Sequence, residues 1–495
     1  MVMMAEERRY DEMMDRIFHP RHIAVIGVSS QGAGFGSGIV RALVNIGFEG
    51  SIHCVNARGG EFLGMQLYRS VDEIPHAIDF AVITTPAETV PAVLEECLHK
   101  GVAGVEVLSA GFSELGTPEG VALEEEVRRI ARRGVRVVGP NCFGIYCPRS
   151  GLTLLPGPDL SRKPGSVAFL SQSGGMAIDL GHLGKWMGVG FSKVVSFGNG
   201  ADLRETELLD YLAGDGETGT IAMYTEGVED GPSFLEALKR AVAVKPVIVY
   251  KGGLSDAGSR AVTSHTASMS GSRVIWESLV RQANAVQVTS LPELAQSCLA
   301  FSMIPHREYH GISVVGGGGA LGITACDAAE RYGLAIPPLD EAISRSILDV
   351  LPKPGSSAKN PVDAANPHVP PPVLKKALME AARDPAIDLQ ILIQLLYHYA
   401  YSAGFFGMSV EEATPFEELA EAVGDVVQKT GKPVLLVIPN NKQGLDALDV
   451  EETRRKTRQA FLEQGIPVFD EMEDALRAVR HVSRYSARKN KIGRK

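Results

Sequence analysis

Cysteine is scarce: six in 495 residues, at positions 54, 97, 142, 147, 298 and 326. None pairs as CxxC, and six are too few to staple a chain of this length. That excludes a zinc ribbon and a secreted disulfide scaffold. A basic excess is also missing, since 49 Lys and Arg face 59 Asp and Glu for a net charge of −10. Nucleic-acid binding and docking on anionic lipid both depend on phosphate neutralisation, so neither is expected. No run approaches 18 apolar residues, so no membrane span is expected. Met1 to Asp15 is charged and has no apolar h-region, which points to the cytoplasm. GxSxG and Walker A patterns do not occur. His306 and His310 stand four apart in PHREYH, but no Glu adjoins His306 as a zincin requires. They read as exposed linker residues, and His19-Pro20-Arg21-His22 reads as the approach to the first strand.

What the chain has in excess is glycine, 53 residues, about one and a half times average usage. The glycines follow short apolar runs, as in tight turns from strand to helix. With 45% hydrophobic residues there is material for packed cores, about three domains at roughly 150 residues each. In the first third, strands at 22–28, 51–55, 79–84, 104–110 and 135–139 alternate with helical patterns near 39–46, 88–100 and 119–133. That alternation predicts a parallel sheet covered on both faces. Residues 148–165 read as a linker. A second block holds 166–175, 191–200, 220–227 and 245–253, closing with a helix near 291–302. A third holds 311–322, 388–396 and 432–439, closing with a helix near 472–482.

Blocks two and three read as copies of one unit. Each opens with strand, small-residue turn and helix, SVAFLSQSGGMAIDL beside GISVVGGGGALGITA. Each later has a KPV-apolar strand and ends in a Leu/Ala helix. The expected architecture is α/β: an N-terminal Rossmann-like domain (1–147) followed by two flavodoxin-like parallel-sheet domains (148–305 and 306–495). The copies differ at 252–272, GGLSDAGSRAVTSHTASMSGS, for which block three has no counterpart. A long irregular loop is expected there, and such loops are usually functional or disordered.

Four places have the residues for chemistry. The turn Gly27–Gly38 (GVSSQGAGFGSG) joins a strand to a helix, so its amides can meet a pyrophosphate at a helix N-terminus. Its spacing is not GxGxxG. The second strand ends in Val55-Asn56-Ala57-Arg58 with no acid for a ribose diol. A basic residue there suits an extra ribose phosphate, that of NADP or the 3′-phosphate of CoA. A Gly-rich turn without ligand is the alternative. Ser171-Gln172-Ser173-Gly174-Gly175 repeats this geometry as an oxyanion or phosphate cradle, and Gly316 to Ala320 is its copy in block three. If the copies pack about a pseudo-twofold axis, both helix ends face one phosphate. His265, in SHTAS, lies off any apolar periodic face. A neutral imidazole is a competent nucleophile toward phosphorus, and the alternative is a solvated loop histidine. Glu226 follows the strand TIAMYT at a carboxyl edge and can orient that imidazole; alone it reads as a solvated acid.

Nine segments in order, HIAVIGVSS, VNARGGEFLG, SAGFSE, GPNCFGI, FLSQSGGM, SFGNGAD, TEGVEDG, SHTASMSG and NPVD, make the chain resemble the α subunit of an NDP-forming acyl-CoA synthetase (acetate–CoA ligase, ADP-forming). That family belongs to the succinyl-CoA synthetase superfamily. The resemblance implies that Gly27, Ser29, Ser30, Gly32, Gly34, Gly36 and Arg58 hold the adenosine phosphate end of coenzyme A. Asn141 and Cys142 would lie near its thiol end. Ser171, Ser173, Gly174 and Gly175 would form one phosphate-binding helix end, and Gly317, Gly318, Gly319 and Ala320 the second. His265 would become the phosphohistidine, with Glu226 its partner. The implied reaction exchanges acyl-CoA, phosphate and ADP for acid, CoA and ATP through an acyl phosphate.

Ala267 stands where the family has a glycine, Arg58 where many relatives have Lys, and VGGGGALG where the family reads closer to NAGGPG. Three domains use all 495 residues, with no room for an ATP-grasp domain of roughly 200 residues. A separate ATP-grasp β subunit carrying ADP or ATP and Mg²⁺ is therefore expected, in an α2β2 assembly or with a homodimer of this chain. A non-catalytic CoA-binding regulator of the same fold is the competing reading, and an NADP-dependent oxidoreductase the third.

Overall fold

A computed structural model describes residues 2–153, 160–266 and 272–492, with only the backbone of 2–9, 263–266 and 490–492. The chain forms two compact units, Met1–Ala295 and Gln296–Lys495. The division falls within the helix Leu291–Met303, whereas the sequence pattern put it after residue 305.

The first unit contains two sheets. The first sheet is built from β1 His22–Ile26, β2 Ser51–Val55, β3 Gly60–Phe62, β4 Met65–Tyr68, β5 Phe80–Ile83, β6 Gly104–Val107 and β7 Arg136–Val138. Its order is β3-β4-β2-β1-β5-β6-β7. Omitting β3, the strands run 3-2-1-4-5-6, the doubly wound dinucleotide-fold order. β5 and β6 are buried along their whole length, as strands covered on both faces must be, and this is why they read as continuous apolar runs. The hairpin β3–β4, unseen in the sequence pattern, turns at Leu63 and Gly64. Both have positive φ, 51° and 78°, matching a two-residue turn of the kind that suits strand twist.

After β7 the chain crosses to the second sheet. β8 (Gly144–Tyr146) lies antiparallel on β10 (Phe191–Ser196) at its edge. The other strands are β9 Val167–Ser171, β11 Thr220–Thr225, β12 Val247–Lys251 and β13 Val286–Val288, in the order β13-β12-β11-β9-β10-β8. The second unit holds β14 Ile312–Gly316, β15 Val362–Asp363, β16 Leu389–Ile393, β17 Val434–Val437 and β18 Val468–Phe469, in the order β15-β14-β16-β17-β18. Numbered from their own first parallel strand, both sheets read 2-1-3-4-5, the flavodoxin order. The weak repeat in sequence is thus a repeat of topology. In each sheet the order reverses beside β1, β9 or β14, and a small-residue turn follows each of these strands. Ligand crevices of open α/β sheets form at such carboxyl ends.

One expectation fails. The irregular loop expected over 252–272 is helical over Asp256–Thr266. Its small polar composition hid two helix-start devices: Ser255 Oγ accepts from Gly258 N at 3.1 Å, and Asp256 stands in the first turn, where the helix dipole favours an acid. Val262 is buried on this helix over Gly253, where a Cβ would come 2.8 Å from its Cγ2. Ala267 and its neighbours to 271 lie outside the described residues. Among the described residues no helix is long and apolar enough to cross a membrane.

Candidate functional site

The Gly27–Gly38 turn is a close-packed bend with an open helix end. A Cβ on Gly36 would sit 2.7 Å from the Gly27 carbonyl oxygen and 2.9 Å from Thr84 Oγ1, so only glycine lets helix and strand approach this closely. Gly27, Gly32 and Gly34 have positive φ, which other residues rarely adopt. Buried Ser37 braces the bend, its Oγ accepting from Ser29 N at 2.9 Å. The helix Gly34–Ile46 begins after Ala33 with no side-chain cap, leaving its first amides for an anion. Ser30 and Arg58 are exposed beside it. The Arg58 turn is tied to this bend through Asn56, whose Nδ2 donates to Val28 O at 2.6 Å and whose Oδ1 accepts from Arg58 N at 2.9 Å.

Asn141 and Cys142 lie where the chain leaves the first sheet. Asn141 has φ 54°, and its Nδ2 donates to Asn199 Oδ1 at 3.3 Å. Cys142 faces inward, its Sγ donating to Val107 O at 3.3 Å. Burial and then the neighbouring Glu106 push its thiol well up, so it offers a ligand its backbone and not its sulfur. Asn199 also donates to Glu114 Oε2 at 2.6 Å and to Glu124 Oε2 at 2.9 Å. Burial would raise Glu124, but hydrogen bonds from Ser113, Asn199 and Arg128 hold its carboxyl below the usual value. Three loops, 109–114, 139–144 and 196–202, are thereby laced together at the junction of the two sheets.

The second turn is better defined as an anion site. Ser171, fully buried, donates through Oγ to Ser173 O at 2.6 Å. Ser173 caps the helix Gly174–Met187, its Oγ accepting from Met176 N. Among the described residues the amides of Gly174 and Gly175 donate to nothing. A Cβ on Gly174 would meet the Phe143 ring at 2.5 Å, whereas Gly175 is open.

Glu226 adjoins this turn and is buried, 7% exposed, not a solvated acid. Gln172 Oε1 accepts from Glu226 N at 2.7 Å and Gly227 N at 3.1 Å. Lys251 Nζ donates to Glu226 O at 2.6 Å. Tyr224 OH donates to Glu226 Oε1 at 3.2 Å. The other oxygen, Oε2, is buried with no partner among the described residues. A glutamate whose backbone is held at both N and O, and whose carboxylate has one oxygen bonded and the other unsatisfied among the described residues, is arranged to receive a donor. Residue 265 lies in the helix Asp256–Thr266; the His265 side chain falls outside the described residues. That helix runs alongside the short turn Ser113–Leu115 of the three-loop junction.

The third turn differs. The helix Gly319–Arg331 starts after Gly318, at φ 107°. Asp363 Oδ1 accepts from Gly318 N at 3.2 Å and Ala365 N at 2.9 Å. A carboxylate thus already stands at this helix end, where an incoming phosphate would meet like charge. Beside it lies a cavity of about 230 Å³ walled by Val314, Ile323, Pro361, Val362 and Ile393.

The sequence reading missed Gln172, Lys251, Asn199 and Glu114. All four act by holding backbone or one another. Only their place inside quoted segments, FLSQSGGM, SFGNGAD and SAGFSE, signalled three of them, and Lys251 had no signal beyond ending a strand.

Family models match at residues 21–148, a CoA binding domain, and at 164–301, a succinyl-CoA ligase like flavodoxin domain. The chain is 33% identical to the acetate–CoA ligase [ADP-forming] I subunit alpha of Pyrococcus furiosus, over 97% of this chain and 99% of that one. It is 34% identical to the acetate–CoA ligase [ADP-forming] I of Archaeoglobus fulgidus over 96% of this chain but only 64% of that longer protein. It is also similar to the solved dinucleotide forming acetyl-coenzyme A synthetase 1 of Ca. Korarchaeum cryptofilum, in complex with phosphate and ADP. That match has TM-score 0.81 and 30% identity, covering 97% of this chain and 98% of the other.

Proposed function

Because the chain belongs to the family of ADP-forming acetate–CoA ligase α subunits, we propose that it works as the α subunit of an ADP-forming acyl-CoA synthetase with His265 as its phosphoryl carrier. The observation that carries this is the buried Glu226 Oε2, without a partner among the described residues, beside the amides of the Ser173 turn. In this reading phosphate attacks the thioester carbonyl of acyl-CoA, CoA leaves as thiolate, and acyl phosphate forms. The lone-pair nitrogen of the His265 imidazole then attacks phosphorus, the carboxylate leaves, and the N–H that stays on the other ring nitrogen donates to Glu226, which offsets the charge the ring gains. Phosphohistidine next gives its phosphoryl group to ADP. The amides of Gly174 and Gly175, at a helix end equivalent to about half a positive charge, offset the charge of the phosphate and the phosphoryl group.

CoA would place its adenosine phosphates on the Gly27–Gly36 turn with Ser29, Ser30 and Arg58, and its thiol end near Asn141. The tight, uncapped turn fits that group. "Subunit alpha" in the relatives' names implies a partner subunit. We take this partner to be an ATP-grasp β chain holding ADP or ATP with Mg²⁺, in the cytoplasm.

The test is ³²P-phosphate with a panel of acyl-CoA thioesters. Wild type should take up acid-labile, alkali-stable label with one thioester class, and His265→Ala none. Equal labelling of both chains, or none on wild type with CoA binding intact, would reject this reading.

A further inference from the structure

Lys251 is the residue of this region that the proposed chemistry leaves without a part. It ends β12 and is only 6% exposed. Its ammonium meets three different pieces of chain. It donates to Glu226 O at 2.6 Å, on the turn that aims the carboxylate. It donates to Gly252 O at 2.5 Å, the first residue of the 252–272 segment. It also lies 5.7 Å from the ring centre of Trp276, in the helix Arg273–Ala283 that follows that segment. The two roots of the segment bearing His265 and the turn bearing Glu226 therefore meet at one buried charge.

We propose that Lys251 is a positioning residue, fixing both roots of the histidine segment to the Glu226 turn so that His265 meets that carboxylate in one register. This rests on the functional reading above. Misplacing a reacting group by about 1 Å costs on the order of 10²-fold in rate. A neutral amide has two N–H donors but holds them in one plane and carries no charge. An ammonium can satisfy both while facing an aromatic ring, and charge-assisted bonds are roughly twice as strong as neutral ones. Gly252 leaves no space for a substitute tether, since a Cβ there would lie 2.6 Å from Tyr224 OH.

Burial lowers the Lys251 pKa to about 8, with Glu226 acting in the opposite sense. Glu226, just past the end of β11, is the titratable group that acts on it, while the following helix presents the uncharged Trp276. Loss of the ammonium above about pH 8 gives the device a signature of its own.

The experiment uses the full chain, ³²P-phosphate and the thioester that labels wild type best, from pH 6.5 to 9.5. Wild-type labelling should slow above about pH 8. Lys251→Met should label about 10²-fold more slowly, with no such alkaline limb and unchanged CoA affinity; two carbonyls lose their donor while a buried charge is removed, so the melting temperature should fall by no more than about 5 °C. Lys251→Arg should recover part of the rate and remain active to higher pH, because guanidinium stays charged. A Lys251→Met chain that labels at the wild-type rate, or keeps the alkaline limb, would overturn the inference. A wild-type chain that takes no label would instead overturn the functional reading on which it stands.

Discussion

Replacing Gln172 by Ala should both destabilise the first unit and slow labelling of His265. The Gln172 Oε1 atom is the acceptor for Glu226 N (2.7 Å), Gly227 N (3.1 Å) and Thr225 Oγ1 (3.2 Å). Thr225 Oγ1 also donates to Gly227 O at 2.8 Å, so that hydroxyl keeps a partner after truncation. The two amides do not. Each buried orphan costs about 1–3 kcal/mol, and water entering the vacated volume offsets part of it. The net loss should be about 2–4 kcal/mol, a fall of roughly 3–6 °C in melting temperature for a unit of this size. With its N–H tether gone, the Glu226 turn shifts, and the labelling rate should drop by about 10- to 100-fold. Differential scanning calorimetry and a ³²P-labelling time course read the two effects separately. Gln172→Glu keeps an acceptor oxygen, so it should recover most of the stability. It should still label slowly, because a second carboxylate beside Glu226 repels phosphate. A Gln172→Ala chain that melts within about 1 °C of wild type and labels at the same rate would refute the argument that this amide holds the site.

Glu226→Gln should cut labelling by about 10²-fold or more without lowering the melting temperature, since a buried charge is removed and Tyr224 OH keeps an acceptor oxygen; equal rates would exclude Glu226 as a partner of the imidazole. Gly36→Ala forces a Cβ to within 2.7 Å of the Gly27 carbonyl. It should weaken CoA binding in calorimetric titration by about tenfold, equivalent to roughly 1.4 kcal/mol, and unchanged affinity would remove that turn from the CoA site. Asp363→Asn withdraws a negative charge from a helix N-terminus. It should cost about 0.3–1 kcal/mol of stability while tightening phosphate binding, if the Gly317–Ala320 turn takes part. His53 is buried, and desolvation, then His22 and His76, lower its pKa to about 4. An unfolded chain binds that proton more tightly, so the stability linked to His53 is complete above about pH 6.5 and is lost as pH falls toward 4. His53→Phe should flatten that part of the stability–pH curve in urea titrations.

The strands and their parallel order were legible because a strand covered on both faces must be apolar throughout, as β5, β6 and β9 are. The turns were legible because only glycine fits at Gly36 and at positive φ. The helix Asp256–Thr266 was not, because its small polar residues carry little propensity and its stability comes from Ser255, Asp256 and the burial of Val262. Sequence thus determined by itself the three sheets, their repeat and the Gly-rich turns, all of which depend on local sterics and periodicity. Tertiary structure alone decided which groups hold them. Gln172, Lys251 and Asn199 act across gaps of some 25 to 85 residues, and whether a carboxylate is buried, as in Glu226, or already seated on a helix end, as in Asp363, follows from which strands lie side by side. Hydrogen bonding and desolvation are set by neighbours in space, and nothing in the order of residues along one strand specifies the neighbour across the sheet.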